Sequence, residues 1–170
     1  MIHWIFDLDN TLYQTDSNNP YKVHDGLYLN YSFLKEDKKL QILLNILGGN
    51  KVIMTNSVST HCNTVLDRLN IKRCFNNIMT RTNMRSIKPD PNTYYQVINN
   101  CKIQSKDKCI FFDDMPINLI MAKKFGWITV LITPEPWRYR QSHNDIDFIF
   151  PTVHHAIAYL IKKLNGIKKK

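Results

Sequence analysis

The chain has 170 residues, of which 44% are hydrophobic and 22% are charged, and its formal net charge at pH 7 is +9. This length fits one domain with a core of its own, and the composition excludes an intrinsically disordered chain. No apolar run is long enough to span a bilayer, and the N-terminus lacks a basic region followed by an apolar one. We therefore expect a soluble, cytoplasmic protein without a membrane partner.

Short apolar runs alternate along the chain with longer segments of helical period, which predicts a three-layer α/β sandwich with a mainly parallel central sheet. The strong strands are almost uninterrupted apolar runs, as expected when helices cover both faces of the sheet. The predicted strands are Ile2 to Asp7, Lys51 to Thr55, Asn77 to Thr80, Cys109 to Asp113, Trp127 to Ile132 and a short edge strand at Asp147 to Phe150. The predicted helices are Leu34 to Leu47, Ser59 to Leu69, Asn92 to Asn100, Asn118 to Phe125 and Val153 to Leu164.

Polar side chains follow the carboxyl ends of several predicted strands, where open α/β sheets bind their ligands. Because these ends meet at one edge of the sheet, we expect carboxylates, a hydroxyl and an ammonium group to converge there. The residues are Asp7 and Asp9 after the first strand, Thr55 and Asn56 after the second, Lys88 before the third helix, and Asp113 and Asp114 at the end of the fourth strand.

This set of groups suits phosphoryl transfer. Carboxylates, phosphate oxygens and water are the hard oxygen ligands that Mg²⁺ prefers. One carboxylate can attack phosphorus to give an aspartyl-phosphate, which splits one difficult step into two. A second carboxylate two residues on can protonate the leaving oxygen and then deprotonate the attacking water. Lysine and threonine donors stabilise the charge that develops on the phosphoryl oxygens.

Four motifs, spread in order over residues 2 to 132, resemble those of the haloacid dehalogenase (HAD)-like hydrolase superfamily. Asp-x-Asp-x-Thr after a strand is already fairly specific, and three further motifs in order argue against chance agreement. The residues of these motifs most resemble those of the pyrimidine 5′-nucleotidase-like branch. The motifs are Asp7-Leu8-Asp9-Asn10-Thr11-Leu12-Tyr13, Val52-Ile53-Met54-Thr55-Asn56, Lys88-Pro89-Asp90-Pro91 and Phe111-Phe112-Asp113-Asp114.

The resemblance implies a Rossmann-like, HAD-like core and a Mg²⁺-dependent phosphomonoester hydrolase acting on a nucleotide or similar small phosphate. It also implies a role for each matching residue. Asp7 is the expected nucleophile, Asp9 the general acid/base, and Thr55, Asn56 and Lys88 the phosphate-binding residues. The expected metal ligands are Asp7, the backbone carbonyl of Asp9 and Asp114, with Asp113 as a weaker ligand or a partner behind it. Where many relatives carry a further acidic residue, this chain has Asn118.

Relatives of that branch insert a helical cap between the first two motifs, but this chain leaves no room for one. Once the predicted helix Leu34 to Leu47 is assigned to the core, about 20 residues remain, too few for a cap with its own core. We therefore predict one core domain at 1–165 without a separate cap, an irregular flap at 14–33 and a basic tail at 166–170. The predicted site is open, which suits a large substrate or a second subunit that covers it.

Three functions stay open at this point: a phosphatase for small substrates, a capless phosphatase for a polynucleotide end or other macromolecule, and a silent binding or regulatory protein. The positive charge modestly favours a polyanion. The segment Trp137-Arg138-Tyr139-Arg140 is able to stack on bases and contact phosphates. Packing onto the domain is the favoured interpretation for the flap aromatics Tyr21, Tyr28, Tyr31 and Phe33.

The remaining reactive side chains are predicted to be structural. Histidines 61, 154 and 155 have no carboxylate or cysteine at ligand spacing, so we interpret them as ordinary surface or packing residues. Ser57 has no evident group to activate, which argues against a serine hydrolase. The cysteines form no Cys-x-x-Cys pair and are predicted to be reduced; they are Cys62, Cys74, Cys101 and Cys109.

Overall fold

The computed structural model describes residues 1–15, 31–139 and 145–167, which form a three-layer α/β sandwich. Its strands are β1 (Ile2–Phe6), β2 (Asn50–Met54), β3 (Asn77–Met79), β4 (Lys108–Asp113), β5 (Ile128–Ile132) and β6 (Phe148–Phe150). Its helices are α1 (Lys38–Ile46), α2 (Ser59–Arg68), α3 (Pro91–Asn100), α4 (Pro116–Lys124) and α5 (Val153–Ile167), with 3₁₀ turns at Lys72–Cys74 and Pro136–Tyr139. The strands form one parallel sheet in the order β3-β2-β1-β4-β5-β6, which confirms the predicted fold class.

Two hydrophobic cores lie on opposite faces of this sheet. Because successive strand residues point to opposite faces, Trp4 and Phe6 enter one core while Ile5 enters the other. The first core joins the sheet to α1, α2 and α5, and the second joins it to α3 and α4. Both faces are thus covered, which explains why the central strands are apolar at almost every position.

The first helix is shorter than predicted. We expected Leu34 to Leu47, but the helix begins at Lys38 because the carboxylate of Asp37 caps it, accepting a hydrogen bond from the backbone N–H of Leu40 at 2.8 Å. Leu34 is buried in irregular chain before this cap. Asp37 also contacts Nε2 of His154 at 2.8 Å, which links the start of α1 to α5.

Gly49 allows the chain to pass close to β1 just before β2 begins. Its φ is +98°, and a Cβ at this position would lie 2.4 Å from the carbonyl oxygen of Ile2. A side chain is therefore excluded where β2 joins β1. At the other end of the chain, α5 continues to Ile167, beyond the predicted end at Leu164, so the helix enters the segment that we predicted as a tail.

Tyr31 and Phe33 pack against the first core, which confirms the packing interpretation for these two. Tyr21, Tyr28, Arg140 and most of the predicted flap lie outside the described residues. All four cysteines are free thiols. Within the described part of the chain, no helix is both long and apolar enough to cross a membrane.

Candidate active site

The carboxyl ends of β1, β2 and β4 bring the predicted site residues into one recess of about 150 Å³. Parallel pairing continues past the strand ends, since the N–H of Asp7 donates to Phe112 O at 2.9 Å and that of Thr55 to Met79 O at 3.0 Å. Of the predicted site residues, only Asp113 does not line the recess. The lining residues are Asp7, Asp9, Asn10, Thr55, Asn56, Ser57, Lys88, Asp114, Met115 and Asn118.

Lys88 is the buried cation at the centre of the site. Its Nζ lies 2.6 Å from Oδ1 of Asp7 and 2.7 Å from Oδ2 of Asp113, and the side chain is 1% exposed. Burial alone would lower the pKa of Lys88, but the two carboxylates outweigh it and raise the pKa above its usual value. Lys88 is therefore a fixed positive charge at neutral pH.

Asn56 sets the position of Lys88 through the backbone. The side-chain Nδ2 of Asn56 donates to Lys88 O at 2.9 Å, and its Oδ1 accepts from Lys88 N–H at 2.8 Å. These two bonds use the side-chain amide to position the lysine. Binding of phosphate by Asn56 stays a prediction.

Asp113 and Asp114 differ in environment although they are neighbours in sequence. Asp113 is completely buried, and its carboxylate accepts from Lys88, from the N–H of Met115 at 2.8 Å and from Nδ2 of Asn118 at 3.0 and 3.1 Å. Asp114 lines the recess. Partial burial, followed by the charge of Asp113, raises the pKa of Asp114 to about 6. Asp114 is thus the better placed of the two to reach a ligand, while Asn118 supports Asp113.

The carboxylates outnumber the ammonium group. Burial raises the pKa of Asp7 well above its usual value; Lys88 opposes this effect, and the neighbouring carboxylates reinforce it. Asp7, Asp113 and Asp114 each offer one carboxylate oxygen, and these oxygens lie within 4.8 Å of one another. One lysine cannot neutralise three carboxylates, so the donor set fits a hard divalent cation such as Mg²⁺.

Asp9 is held by three hydroxyl or imidazole groups. Its Oδ1 contacts the hydroxyl of Tyr13 and, at 2.8 Å, Nε2 of His61, and its Oδ2 accepts from the Ser57 hydroxyl at 2.6 Å. Burial would raise the pKa of Asp9, but the hydrogen bonds, that of His61 foremost, outweigh it and lower the pKa. The carboxylate remains 26% exposed at the edge of the recess.

The interpretation of His61 as an ordinary surface or packing residue was wrong, and the contact of Ser57 with Asp9 was not predicted. His61 is neither a surface residue nor a simple packing residue, because it is 1% exposed and contacts Asp9. Ser57 donates to the same carboxylate. No spacing in the sequence relates these residues to Asp9; the one available signal was that neighbouring parallel strands place the start of α2 beside the loop that follows β1.

Known proteins share this fold. The sequence profile of the haloacid dehalogenase-like hydrolase family matches residues 37–132. An uncharacterised protein from Listeria monocytogenes serotype 4b is 20% identical, with a TM-score of 0.65, and the alignment covers 95% of this chain and 99% of that one. At such an identity, the similarity of the structures establishes the fold alone.

Two larger proteins match over part of their length. The L-2-haloacid dehalogenase of Xanthobacter autotrophicus, solved with chloropropionic acid covalently bound, is 13% identical with a TM-score of 0.58 over 72% of this chain and 60% of its own. A Bacillus subtilis protein described as a HAD hydrolase bound to magnesium is 15% identical with a TM-score of 0.60, over 70% of this chain and 53% of its own. The chain therefore spans little more than half the length of these two proteins.

Proposed function

Because this chain belongs to the haloacid dehalogenase-like hydrolase family, we propose that it is a Mg²⁺-dependent phosphomonoester hydrolase with Asp7 as its nucleophile. The substrate class that we propose is a nucleotide or similar small phosphate. One observation carries the proposal: Asp7, Asp9, Thr55, Lys88 and Asp114 line a single recess. Carboxylates, a hydroxyl and an ammonium group that line one recess can bind a phosphoryl group and transfer it.

The reaction has two steps on Asp7. First, a carboxylate oxygen of Asp7 attacks phosphorus and the bond from phosphorus to the leaving oxygen breaks. In this step Asp9 acts in its protonated form and gives its proton to the leaving oxygen. Second, Asp9 takes a proton from a water molecule that attacks phosphorus, and the aspartyl-phosphate bond breaks. Inorganic phosphate leaves, and both carboxylates return to their starting states. The ammonium of Lys88 and the hydroxyl of Thr55 stabilise the charge on the phosphoryl oxygens in both steps.

The proposed metal site consists of Asp7, the backbone carbonyl of Asp9 and Asp114, with Asp113 behind them. When bound, Mg²⁺ would screen the negative charges of the nucleophile and the phosphoryl group from each other. The excess of carboxylates over ammonium groups supports this assignment. The protein from Bacillus subtilis, described as bound to magnesium, offers a precedent within the fold.

Release of inorganic phosphate from a panel of phosphomonoesters tests the proposal. The panel contains p-nitrophenyl phosphate, uridine 5′-monophosphate and a sugar phosphate, each with and without Mg²⁺. We expect Mg²⁺-dependent release by the wild type and none by Asp7→Asn, because the amide is not a nucleophile. Asp67→Asn is the matched control, since Asp67 is an exposed carboxylate that pairs only with Lys72 among the described residues. Release that persists in Asp7→Asn would exclude Asp7 as the nucleophile.

The same experiment distinguishes the competing activities. The Xanthobacter relative was solved with chloropropionic acid covalently bound, so 2-chloropropionate belongs in the panel, with chloride release as the measurement. Chloride release without phosphate release would replace the phosphatase assignment by a dehalogenase. Turnover of none of these compounds would favour a binding or regulatory protein that keeps the fold.

A capless phosphatase for a polynucleotide end is the second candidate, and the rim of the site favours it. A recess of about 150 Å³ is smaller than the pockets that enclose a whole small ligand, so most of a substrate lies outside it. Arg81 and Arg85 are exposed on the loop that leads to Lys88. The backbone N–H of Arg81 donates to Ser57 O at 3.0 Å, which places it at the rim. Neither arginine forms an ion pair with any residue that the structure describes.

Binding of a 5′-phosphorylated oligonucleotide to the double variant Arg81→Ala/Arg85→Ala tests this candidate. If the arginines contact the phosphate backbone, affinity falls about tenfold and the dependence of affinity on salt becomes shallower by roughly two charges. Turnover of p-nitrophenyl phosphate should stay unchanged. Equal oligonucleotide affinity of the wild type and the variant would reject the second candidate at this rim.

A further inference from the structure

His61 makes a buried polar connection that the proposed mechanism does not yet use. It lies in the first turn of α2, where its side chain is 1% exposed. Nε2 lies 2.8 Å from Oδ1 of Asp9, and Nδ1 lies 2.9 Å from the hydroxyl of Tyr31. Both ring nitrogens therefore have a partner, as buried polar atoms require.

The chemistry of the two partners determines how the ring is oriented. An ionised carboxylate only accepts hydrogen bonds, so Nε2 must carry the hydrogen that lies towards Asp9. In the neutral ring Nδ1 is then an acceptor, and the Tyr31 hydroxyl donates to it. Tyr31 thus fixes the tautomer and the ring plane, and the ring in turn fixes Asp9.

Asp9 cannot turn away from the recess without losing these contacts. His61 and Tyr13 contact Oδ1, and Ser57 donates to Oδ2, so three groups from two segments act on one short side chain. Each oxygen still has lone pairs beyond these contacts. Asp9 is consequently exposed to the recess in a single orientation.

We propose that His61 is a positioning residue, which holds the side chain of Asp9 where its protonated form can give a proton to the leaving oxygen of the substrate. This inference rests on the proposed phosphatase function. A role in packing alone does not account for the geometry, because an apolar side chain would fill the same buried space without the cost of desolvating two ring nitrogens. His61 itself does not touch the reacting atoms.

The dependence on the leaving group separates positioning from folding. Uridine 5′-monophosphate releases an alkoxide, which needs a proton from Asp9, whereas p-nitrophenyl phosphate releases a stable phenolate, which does not. We expect His61→Phe to lower kcat/KM for uridine 5′-monophosphate about 10–100-fold, a part of what general acid catalysis contributes. For p-nitrophenyl phosphate we expect a loss of less than about threefold. The quantity kcat/KM is decisive because it covers only the steps up to release of the leaving group.

Two further variants keep the test valid if His61→Phe folds poorly. His61→Gln places an amide N–H near the position of Nε2 and should restore most of the kcat/KM that His61→Phe loses for uridine 5′-monophosphate. Tyr31→Phe removes only the hydroxyl that contacts Nδ1. It should lower kcat/KM less than His61→Phe does, and again more for uridine 5′-monophosphate than for p-nitrophenyl phosphate. His155→Gln is the matched control, since His155 is exposed on α5 and contacts Thr152. It should leave kcat/KM unchanged for both substrates.

The outcomes for His61 and for the phosphatase function can be distinguished. If Asp7-dependent phosphate release is present but His61→Phe lowers kcat/KM equally for both esters, the positioning role is overturned and the phosphatase stands. The positioning role would also be overturned if His61→Gln did not recover kcat/KM for uridine 5′-monophosphate. If the wild type releases phosphate from neither ester, the phosphatase function fails and the role of His61 fails with it.

Discussion

The side chain of Asn56 holds the backbone of Lys88 through two hydrogen bonds, 2.9 and 2.8 Å long, across 32 residues of sequence. Lys88 in turn reaches Asp7, so a residue that follows β2 sets the position of the cation beside the nucleophile. Phosphoryl transfer depends on such positioning, because small displacements of a catalytic group are costly.

Asn56→Ala should lower both the activity of the site and the stability of the fold. The variant loses two hydrogen bonds of a half-buried amide, which costs about 1–2 kcal/mol in the free energy of unfolding. We expect kcat/KM for p-nitrophenyl phosphate to fall roughly tenfold, because Lys88 loses its anchor. Urea unfolding and steady-state kinetics measure the two effects. Asn99→Ala, at an exposed position of α3, is the control, and equal kinetics for the two variants would contradict the anchoring role.

Lys88→Met should damage both catalysis and stability. The substitution leaves Asp7 and Asp113 buried without their cation, and breaking a buried ion pair in this way costs about 3–5 kcal/mol. Loss of the ammonium should lower kcat by about 10²–10³-fold. Thermal unfolding and phosphate release give the two quantities. Lys72→Met, which breaks the exposed pair with Asp67, should cost less than about 1 kcal/mol. A stable, active Lys88→Met protein would refute the central role of this lysine.

Substitution of Asp114 should mainly weaken metal binding, and substitution of Asp113 should mainly lower stability. Asp114→Asn should weaken Mg²⁺ binding at least tenfold, a loss on the order of that found when a group supporting a metal site is removed. Asp113→Asn should instead destabilise the fold by about 3 kcal/mol, because it removes one of the two carboxylates that pair with Lys88 in the interior. Isothermal titration calorimetry with Mg²⁺ and urea unfolding provide the measurements. The opposite order, with Asp113→Asn losing more Mg²⁺ affinity and Asp114→Asn more stability, would overturn the ligand assignment.

Asp147 should contribute to stability at neutral pH and lose that contribution in acid. Its carboxylate accepts from Lys123 and from the N–H of Thr129 at 2.9 Å. Partial burial would raise the pKa of Asp147, but the hydrogen bonds outweigh it and lower the pKa. The unfolded chain therefore binds the proton first, and stability is fully present above the unfolded pKa of about 3.9 and is lost as the pH falls through the folded pKa.

Asp147→Asn tests this prediction through urea unfolding at pH 7 and at several pH values below 4. We expect the variant to be less stable than the wild type at pH 7, and the difference to shrink as the pH falls. Asp145→Asn, two residues away, is the control and should leave the pH dependence of the wild type unchanged. A difference between Asp147→Asn and the wild type that stays constant down to low pH would show that protonation of Asp147 plays no part.

The pattern of apolar and polar residues along the chain was sufficient to predict much of the fold. Uninterrupted apolar runs with polar residues at their ends predicted the strands and the edge of the sheet where Asp7, Thr55 and Asp114 meet, since parallel strands carry their carboxyl ends to one side. Helix boundaries were less accurate. Leu34 has the spacing of a helical residue, but the cap at Asp37 begins the helix later, and a cap depends on side-chain geometry that apolar spacing does not encode.

The sequence by itself determined the sheet, the motifs and the chemical character of Asp7, because these depend on residue types at short range. Only the tertiary structure decided which groups surround each carboxylate. Asp113 is enclosed by Lys88 and Asn118 while Asp114 lines the recess, although the two are adjacent in the chain. His61 meets Asp9 across 52 residues because β1 and β2 are neighbours in the sheet. Burial and hydrogen bonding act between residues that folding brings together, and no spacing along the chain encodes them.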